Sequence, residues 1–262
     1  MQVRSLGYRT DLIFSSFNGE VLDRGDYLVI RTPSNPTFYW GNFLLFSHPP
    51  GSRDYERWPA LFAEEIGAGP QTRHMTFGWD TPQKEAGVVE PFLEAGFELV
   101  HQTVLTAQQL VAPPPAAVSI RRLRSDEDWL QAVDNQVRCR ESGHAEADYR
   151  VFKRRQMVSY REMVEAGLGE WFGAFLGEML VADLGLFHTR ELGRFQSVGT
   201  HPDFRRRGIA ANLVFQAGRH ALSDFGNDRL VIVADHESAA SRLYHSLGFN
   251  PEEHQMGLEW WW

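Results

Sequence analysis

The sequence predicts an α/β (α+β) protein of two domains, each a mixed, mostly antiparallel sheet flanked by helices. Three observations carry that prediction. Short β-branched and aromatic runs alternate with helical patterns in both halves of the chain. Landmarks of the first half recur in the second at a spacing of roughly 150 residues. A run of three prolines separates the halves.

In the first half, residues 26–31 and 38–46 read as strands separated by Pro33-Ser34-Asn35-Pro36, and His48-Pro49-Pro50-Gly51 breaks the second. Residues 58–66 are helix-like, 73–79 strand-like, and 89–95 a short helix with Gly96 at its C′ position. Residues 110–117 hold Pro113-Pro114-Pro115, which cannot lie inside a helix or a central strand and favour a stiff connector. The expected domains are therefore 1–112 and 118–262, with 113–117 as the linker.

The second half opens with an edge strand at 118–123, then Ser125-Asp126-Glu127-Asp128 as an acidic helix start. Helical patterns follow at 129–140 and 149–165, ending at Gly167. A hairpin at 171–176 and 179–186 turns on Gly177-Glu178. Strands at 194–200 and 230–234, a helix at 238–247 and a last strand beginning at Phe249 complete the pattern.

The 262 residues suffice for two modest cores, and 43% hydrophobic with 23% charged residues is ordinary globular composition. A net charge of −8 argues against a general nucleic-acid binder, although Arg205-Arg206-Arg207 form a local basic site. The single cysteine, Cys139, excludes an internal disulfide, and without Cys-x-x-Cys or paired histidine spacing no metal is expected. No run approaches the ~20 apolar residues of a membrane span. A reducing, cytoplasmic location away from membranes is the expectation.

The stretch from Gly199 to Leu213 is the most informative. It reads as a strand end, a turn containing Pro202 and three arginines, and a helix with Ile209, Leu213, Val214 and Ala217 on one face. A helix start presents unpartnered N–H groups and a partial positive charge, so it suits a phosphate. Gly208 and Ala210 are small enough to let an anion approach, and each well-formed arginine hydrogen bond to it contributes about 1.5–3 kcal/mol.

Arg205-x-x-Gly208-x-Ala210 resembles the (Gln/Arg)-x-x-Gly-x-(Gly/Ala) signature of the GNAT acetyltransferases, and Ala240-x-x-Leu243-Tyr244-x-x-x-Gly248-Phe249 is similar to a later motif of that family. The resemblance covers residues 117–262. It implies an acetyl-CoA-dependent N-acetyltransferase acting on a primary amine, expected to be that of a small molecule. Coenzyme A would be held by Val198, Gly199, Thr200, Arg205, Arg206, Arg207, Gly208, Ile209, Ala210 and Ala240. The strands around the cofactor splay apart in this family, and Gly199 suits a bulge or close backbone approach. Tyr244 is the expected catalytic side chain, since a phenol of ordinary pKa about 10 stays protonated at neutral pH and can donate to the departing thiolate. Glu237 departs from the family, which often has Asn there.

The resemblance also implies a general base on the strand before the arginine turn, but period-two alternation places Arg194 and Gln196 on the face of Val198, and neither is a base. His188, Glu191, His201, Asp183 and Glu141 remain candidates. The family's acceptor cleft corresponds to Asn135 through Tyr149, with Arg138, Arg140, Glu141, His144 and Glu146. The alternative is a non-catalytic acyl-CoA-binding or regulatory protein.

The first half reads as a degenerate GNAT-like copy. His48-Pro49 stands against His201-Pro202, but Ser52-Arg53-Asp54-Tyr55-Glu56-Arg57 replaces the arginine-glycine turn with two added carboxylates, and Phe92 replaces Tyr244. Trp260-Trp261-Trp262 are expected to pack on a domain surface or a partner.

Overall fold

A helix with no counterpart in the sequence pattern opens the chain. In the computed structural model, which describes residues 1–67, 72–140, 143 and 145–261, α1 spans Leu6–Asn18. It is followed by β1 (Glu20–Asp23), β2 (Tyr27–Arg31), β3 (Phe43–Phe46), α2 (Asp54–Glu65), β4 (His74–Trp79), α3 (Glu90–Glu94) and β5 (Glu98–Ala107). The expected strand at 38–46 is shorter than its pattern, because Tyr39–Gly41 forms a 3₁₀ turn. Helix α2 begins at Asp54, so Pro59 lies inside it rather than at its start.

The chain continues with β6 (Ser119–Arg122), α4 (Asp126–Arg138), α5 (Glu146–Glu165), β7 (Gly169–Leu176), β8 (Met179–His188), β9 (Leu192–Thr200), α6 (Ile209–Ser223), β10 (Arg229–Asp235), α7 (Ala239–Ser246) and β11 (Asn250–Trp261). Ser125 caps α4 in a capping box with Asp128, whose carboxylate also takes a bidentate pair from Arg121 at 2.7 and 2.8 Å. Among the described residues no helix is long and apolar enough to cross a membrane.

Two compact units emerge. One holds Met1–Val104, Val233–His236 and Glu252–Trp262; the other holds Leu105–Ile232 and Glu237–Pro251. Trp260 and Trp261 thus belong to the first unit, where β11 pairs antiparallel with β4 (Trp260 with Met75, Trp261 with His74), and the Trp260 ring lies 6.1 Å from that of Phe97. Trp262, Glu141 and His144 lie outside the described residues.

In the first unit β1–β2 and β2–β3 are antiparallel and β3–β4 parallel. Strand β3 and residues 27–30 of β2 are buried throughout because both sheet faces are covered. Val29, Leu44 and Phe46 face α2, where the Phe46 and Trp58 rings stack at 3.9 Å, while Leu28, Ile30, Phe43 and Leu45 pack with Tyr8 of α1. Full burial of each such side chain contributes about 1.5–3 kcal/mol.

The second unit repeats the pairing order: β7–β8 and β8–β9 are antiparallel and β9–β10 parallel, with β6 added at the β7 edge. Adjacent residues of β7 point to opposite faces. Trp171 meets Trp129 of α4 and Tyr160 of α5, and Phe172 meets His220 of α6, so the helices cover both sides.

Candidate functional site

Two irregularities of β9 shape the site. The β8–β9 ladder shifts register between Asp183↔Gly199 and Gly185↔Gln196, so β9 carries one residue more than its partner there. Ser197 sits in that bulge with φ 51°. The parallel ladder with β10 joins Leu192, Gly193 and Arg194 to Arg229, Leu230 and Val231 and, among the described residues, goes no further along β9. The strands thus part, as the family resemblance implies, and the bulge sits at the opening. It also interrupts period-two alternation, so counting residues from Arg194 does not fix the face of Val198.

Helix α4 holds the bulge from below. Gln136 Nε2 donates to the Ser197 carbonyl at 2.7 Å, Asn135 Nδ2 reaches the Gly199 carbonyl at 3.4 Å, and Cys139 Sγ donates to the Thr200 carbonyl at 3.2 Å. The same two amides and the Trp171 indole, at 2.8 Å, donate to the fully buried Asp183 carboxylate. Burial pushes the Asp183 carboxyl up to about 6, opposed by those hydrogen bonds and by Lys153. Burial likewise lowers the Lys153 ammonium to about 8 and raises the Cys139 thiol to about 11.

The arginine turn follows directly. After a 3₁₀ turn at Pro202–Phe204, Arg206 adopts φ 63° and Gly208, the N-cap of α6, adopts φ 72°, ψ 3°. The nearest atom to a Cβ placed at Gly208 is Asn212 Nδ2 at 3.9 Å, so the space in front of the helix start is open. Arg205, Arg206 and Arg207 are exposed. Arg205 Nε donates to the Thr200 carbonyl at 3.2 Å, and the Arg207 guanidinium, 5.0 Å from the Phe204 ring, donates to the Asp203 carbonyl at 3.1 Å. Ile209 is buried and anchors the first turn, whereas Ala210 is half-buried.

Among the described residues, Ser197, Arg206 and Glu237 are the non-glycines with positive φ. Each such conformation costs about 1–2 kcal/mol for a side-chain-bearing residue. They mark the bulge, the arginine turn and the approach to α7. Asn tolerates this conformation better than Glu, which gives the sequence departure at Glu237 a backbone meaning; its carbonyl accepts from Arg242 at 2.8 Å. On α7, Ala240 is exposed and Tyr244 is buried, its ring 6.1 Å from that of Phe249, which in turn lies 5.9 Å from Phe195 of β9.

The candidate bases separate by position. His188 stacks on Phe225 at 4.0 Å, and Glu191 lies in the β8–β9 turn, at the far end of β9 from Thr200. At about 3.3 Å per residue, that end is roughly 30 Å from the arginine turn. His201 Nδ1 accepts from the Asp203 N–H at 3.3 Å, capping the 3₁₀ turn. Asp183 underlies the bulge, but its oxygens are engaged by Asn135, Gln136 and Trp171.

Sequence reasoning missed Gln136, Lys153 and Trp171 as members of this cluster. The available signal was polar residues on apolar helix faces, Gln136 beside Ala132, Val133 and Val137, and Lys153 one turn before Met157. In the first unit the corresponding helix start is closed: Asp54 is buried there, and its Oδ2 accepts from the Gly51 N–H at 2.8 Å.

Residues 172–258 match the model of the FR47-like protein family. A comparison with curated protein sequences gives no match. A functionally unknown conserved protein from Staphylococcus epidermidis superposes with a TM-score of 0.70 at 15% identity, over 93% of this chain and 94% of that one. A GCN5-related N-acetyltransferase from Kribbella flavida superposes with a TM-score of 0.66 at 16% identity, over 97% and 95%. A tandem GNAT protein from the clavulanic acid biosynthesis pathway does so with a TM-score of 0.54 at 14% identity, over 96% and 87%. The matched segment contains the bulge, the arginine turn and Tyr244, and the superpositions show that the chain has the fold of GCN5-related N-acetyltransferases.

Proposed function

We propose that the chain is an acetyl-CoA-dependent N-acetyltransferase that acetylates a primary amine of a small molecule, with the working site in the second unit. The observation that carries this reading is the open, left-handed Gly208 at the start of α6, directly after the exposed arginine triplet and the β9 bulge. Open space before a helix N-terminus, flanked by three guanidinium groups, fits a pyrophosphate. The Gly208, Ile209 and Ala210 N–H groups with Arg205, Arg206 and Arg207 would hold it. The backbone of Val198, Gly199 and Thr200 would take the pantetheine arm, and Ala240 contributes from α7.

Acetyl-CoA, when bound, supplies an activated thioester. With the acceptor amine neutral, the N–C bond would form as the C–S bond breaks, the nitrogen releasing one proton to water and coenzyme A leaving as the thiol. The bulge turns β9 backbone groups away from their ladder, where an N–H can stabilise negative charge on the acyl oxygen. Tyr244 would donate a proton to the departing sulfur and regain one from solvent. Gln136 and Asn135, oriented by the Asp183 carboxylate, hold the bulge in place.

The first unit is, in this proposal, a GNAT-like unit without a coenzyme A site. Its identical order of antiparallel, antiparallel and parallel pairing supports the duplication, and Asp54 occupying its own helix start supports the loss. The paired arrangement of the clavulanic acid pathway protein lends further support.

The test is release of free thiol from acetyl-CoA against a panel of small primary amines, alongside calorimetric titration with coenzyme A. Release with at least one amine is expected. Coenzyme A binding without release for any amine would favour a non-catalytic acyl-CoA-binding protein, and absence of binding would overturn the reading.

A further inference from the structure

Three histidines far apart in sequence converge in the first unit. His101 lies on β5, His236 directly follows β10, and His254 lies on β11. Their rings form a cluster, with His101 and His236 stacked at 4.1 Å and His101 and His254 centred 5.0 Å apart. One ring nitrogen from each lies within 4.8 Å of the other two, and all three side chains are half-buried.

We infer that His101, His236 and His254 bind one divalent cation of the zinc class, which ties three separate segments of the first unit together. The spacing fits. Two ligands on a tetrahedral zinc with bonds of about 2.0–2.1 Å stand about 3.3 Å apart, and His101 Nε2 lies 3.0 Å from His254 Nδ1. That pair shares a proton that a cation replaces, so binding releases it.

His236 has the support that a ligating imidazole uses. Thr103 Oγ1 lies 2.9 Å from its Nδ1 and orients the ring, and the threonine is 4% exposed. The His236 N–H donates to the His101 carbonyl at 3.0 Å, so two of the ligands are also joined through the backbone.

Asp235, next to His236, accepts from Gln102 Nε2 at 3.2 Å. All-imidazole donation selects zinc, nickel, cobalt or copper over magnesium and calcium, which prefer oxygen.

The cation acts as a clip. His101, His236 and His254 come from the three stretches of chain that make up the first unit, so one ion restrains segments that loop closure otherwise holds apart in the unfolded chain. This role is independent of acyl transfer and does not require the second unit to be active.

The test uses the full chain, purified without a histidine tag, stripped with a chelator and titrated with Zn²⁺ alone. One equivalent is expected to bind with release of protons and to raise the unfolding midpoint. His101→Ala and His254→Ala should each weaken binding by more than about 10-fold, Thr103→Val by about 10-fold, and His48→Ala, an exposed histidine elsewhere in the unit, not at all. Co²⁺ in place of Zn²⁺ should give the intense visible absorption of a tetrahedral nitrogen site, a readout that does not depend on the stability of any variant. Absence of stoichiometric binding in the native chain, or equal affinity in His254→Ala, would overturn the proposal.

Discussion

The amide of Gln136 donates to the carbonyl of Ser197 at 2.7 Å and, from the same nitrogen, to the Asp183 carboxylate at 3.1 and 3.2 Å. One buried side chain therefore secures both the bulge of β9 and the carboxylate on the neighbouring strand. Gln136→Leu keeps the volume and removes the donor, leaving a buried carboxylate and a strained carbonyl short of a partner. The expected cost is about 1–3 kcal/mol of stability, with a larger fall in acetyl transfer than in coenzyme A affinity. Denaturant unfolding and steady-state rates check it, and an unchanged rate would detach the bulge from turnover.

Gly208→Ala and Gly208→Glu separate strain from occlusion. Alanine has room but must adopt φ 72°, at a cost of about 1 kcal/mol, so coenzyme A binding should weaken modestly. Glutamate adds a carboxylate where a pyrophosphate is to sit, and calorimetric binding should disappear while the circular dichroism spectrum is retained. Equal affinities for both variants would move the cofactor elsewhere.

Tyr244→Phe removes only a hydroxyl from a residue that is 5% exposed on α7. On the proposed role as proton donor to the leaving sulfur, the substitution should lower kcat by about 10²-fold or more and leave the KM for acetyl-CoA nearly constant. A parallel change in both constants would assign the tyrosine to binding instead.

His74 supplies a pH dependence that has nothing to do with catalysis. Its imidazole is buried, stacked on Tyr39 at 4.5 Å with Nε2 on the Asn42 carbonyl at 3.0 Å, and burial lowers its pKa to about 4. The folded state therefore refuses a proton that the unfolded chain accepts below its ordinary value of about 6.5. Stability is complete above that value and falls by about 3 kcal/mol as the pH drops to 4. Denaturant midpoints from pH 7 to pH 4 should show this slope, flattened in His74→Phe.

Local chemistry was legible in the sequence and long-range convergence was not. The arginine turn could be read because Arg205, Gly208 and Ala210 lie within six residues whose conformation is set by one strand end and one helix start. The hairpin at Gly177-Glu178 and the C′ glycines Gly96 and Gly167 were legible for the same reason, and all three glycines have positive φ. The bulge was anticipated at Gly199, yet the strained residue is Ser197, because Gln136 and Asn135 stabilise that geometry from another element. His101 and His254, 153 residues apart, carry no spacing signature at all. Helix α1 was missed because its buried residues include Gly7, Thr10 and Ser15, polar or small positions that hide its inner face.

Strand β11 enters the first unit only after residues 237–251 have returned the chain to the second. On a ribosome, β4 must wait with an unpaired edge until more than half of the sequence has emerged behind it, which exposes that edge to other nascent chains. Cleavage within 113–117 would likewise leave two fragments interlocked through β4 and β11, migrating as one species until denatured.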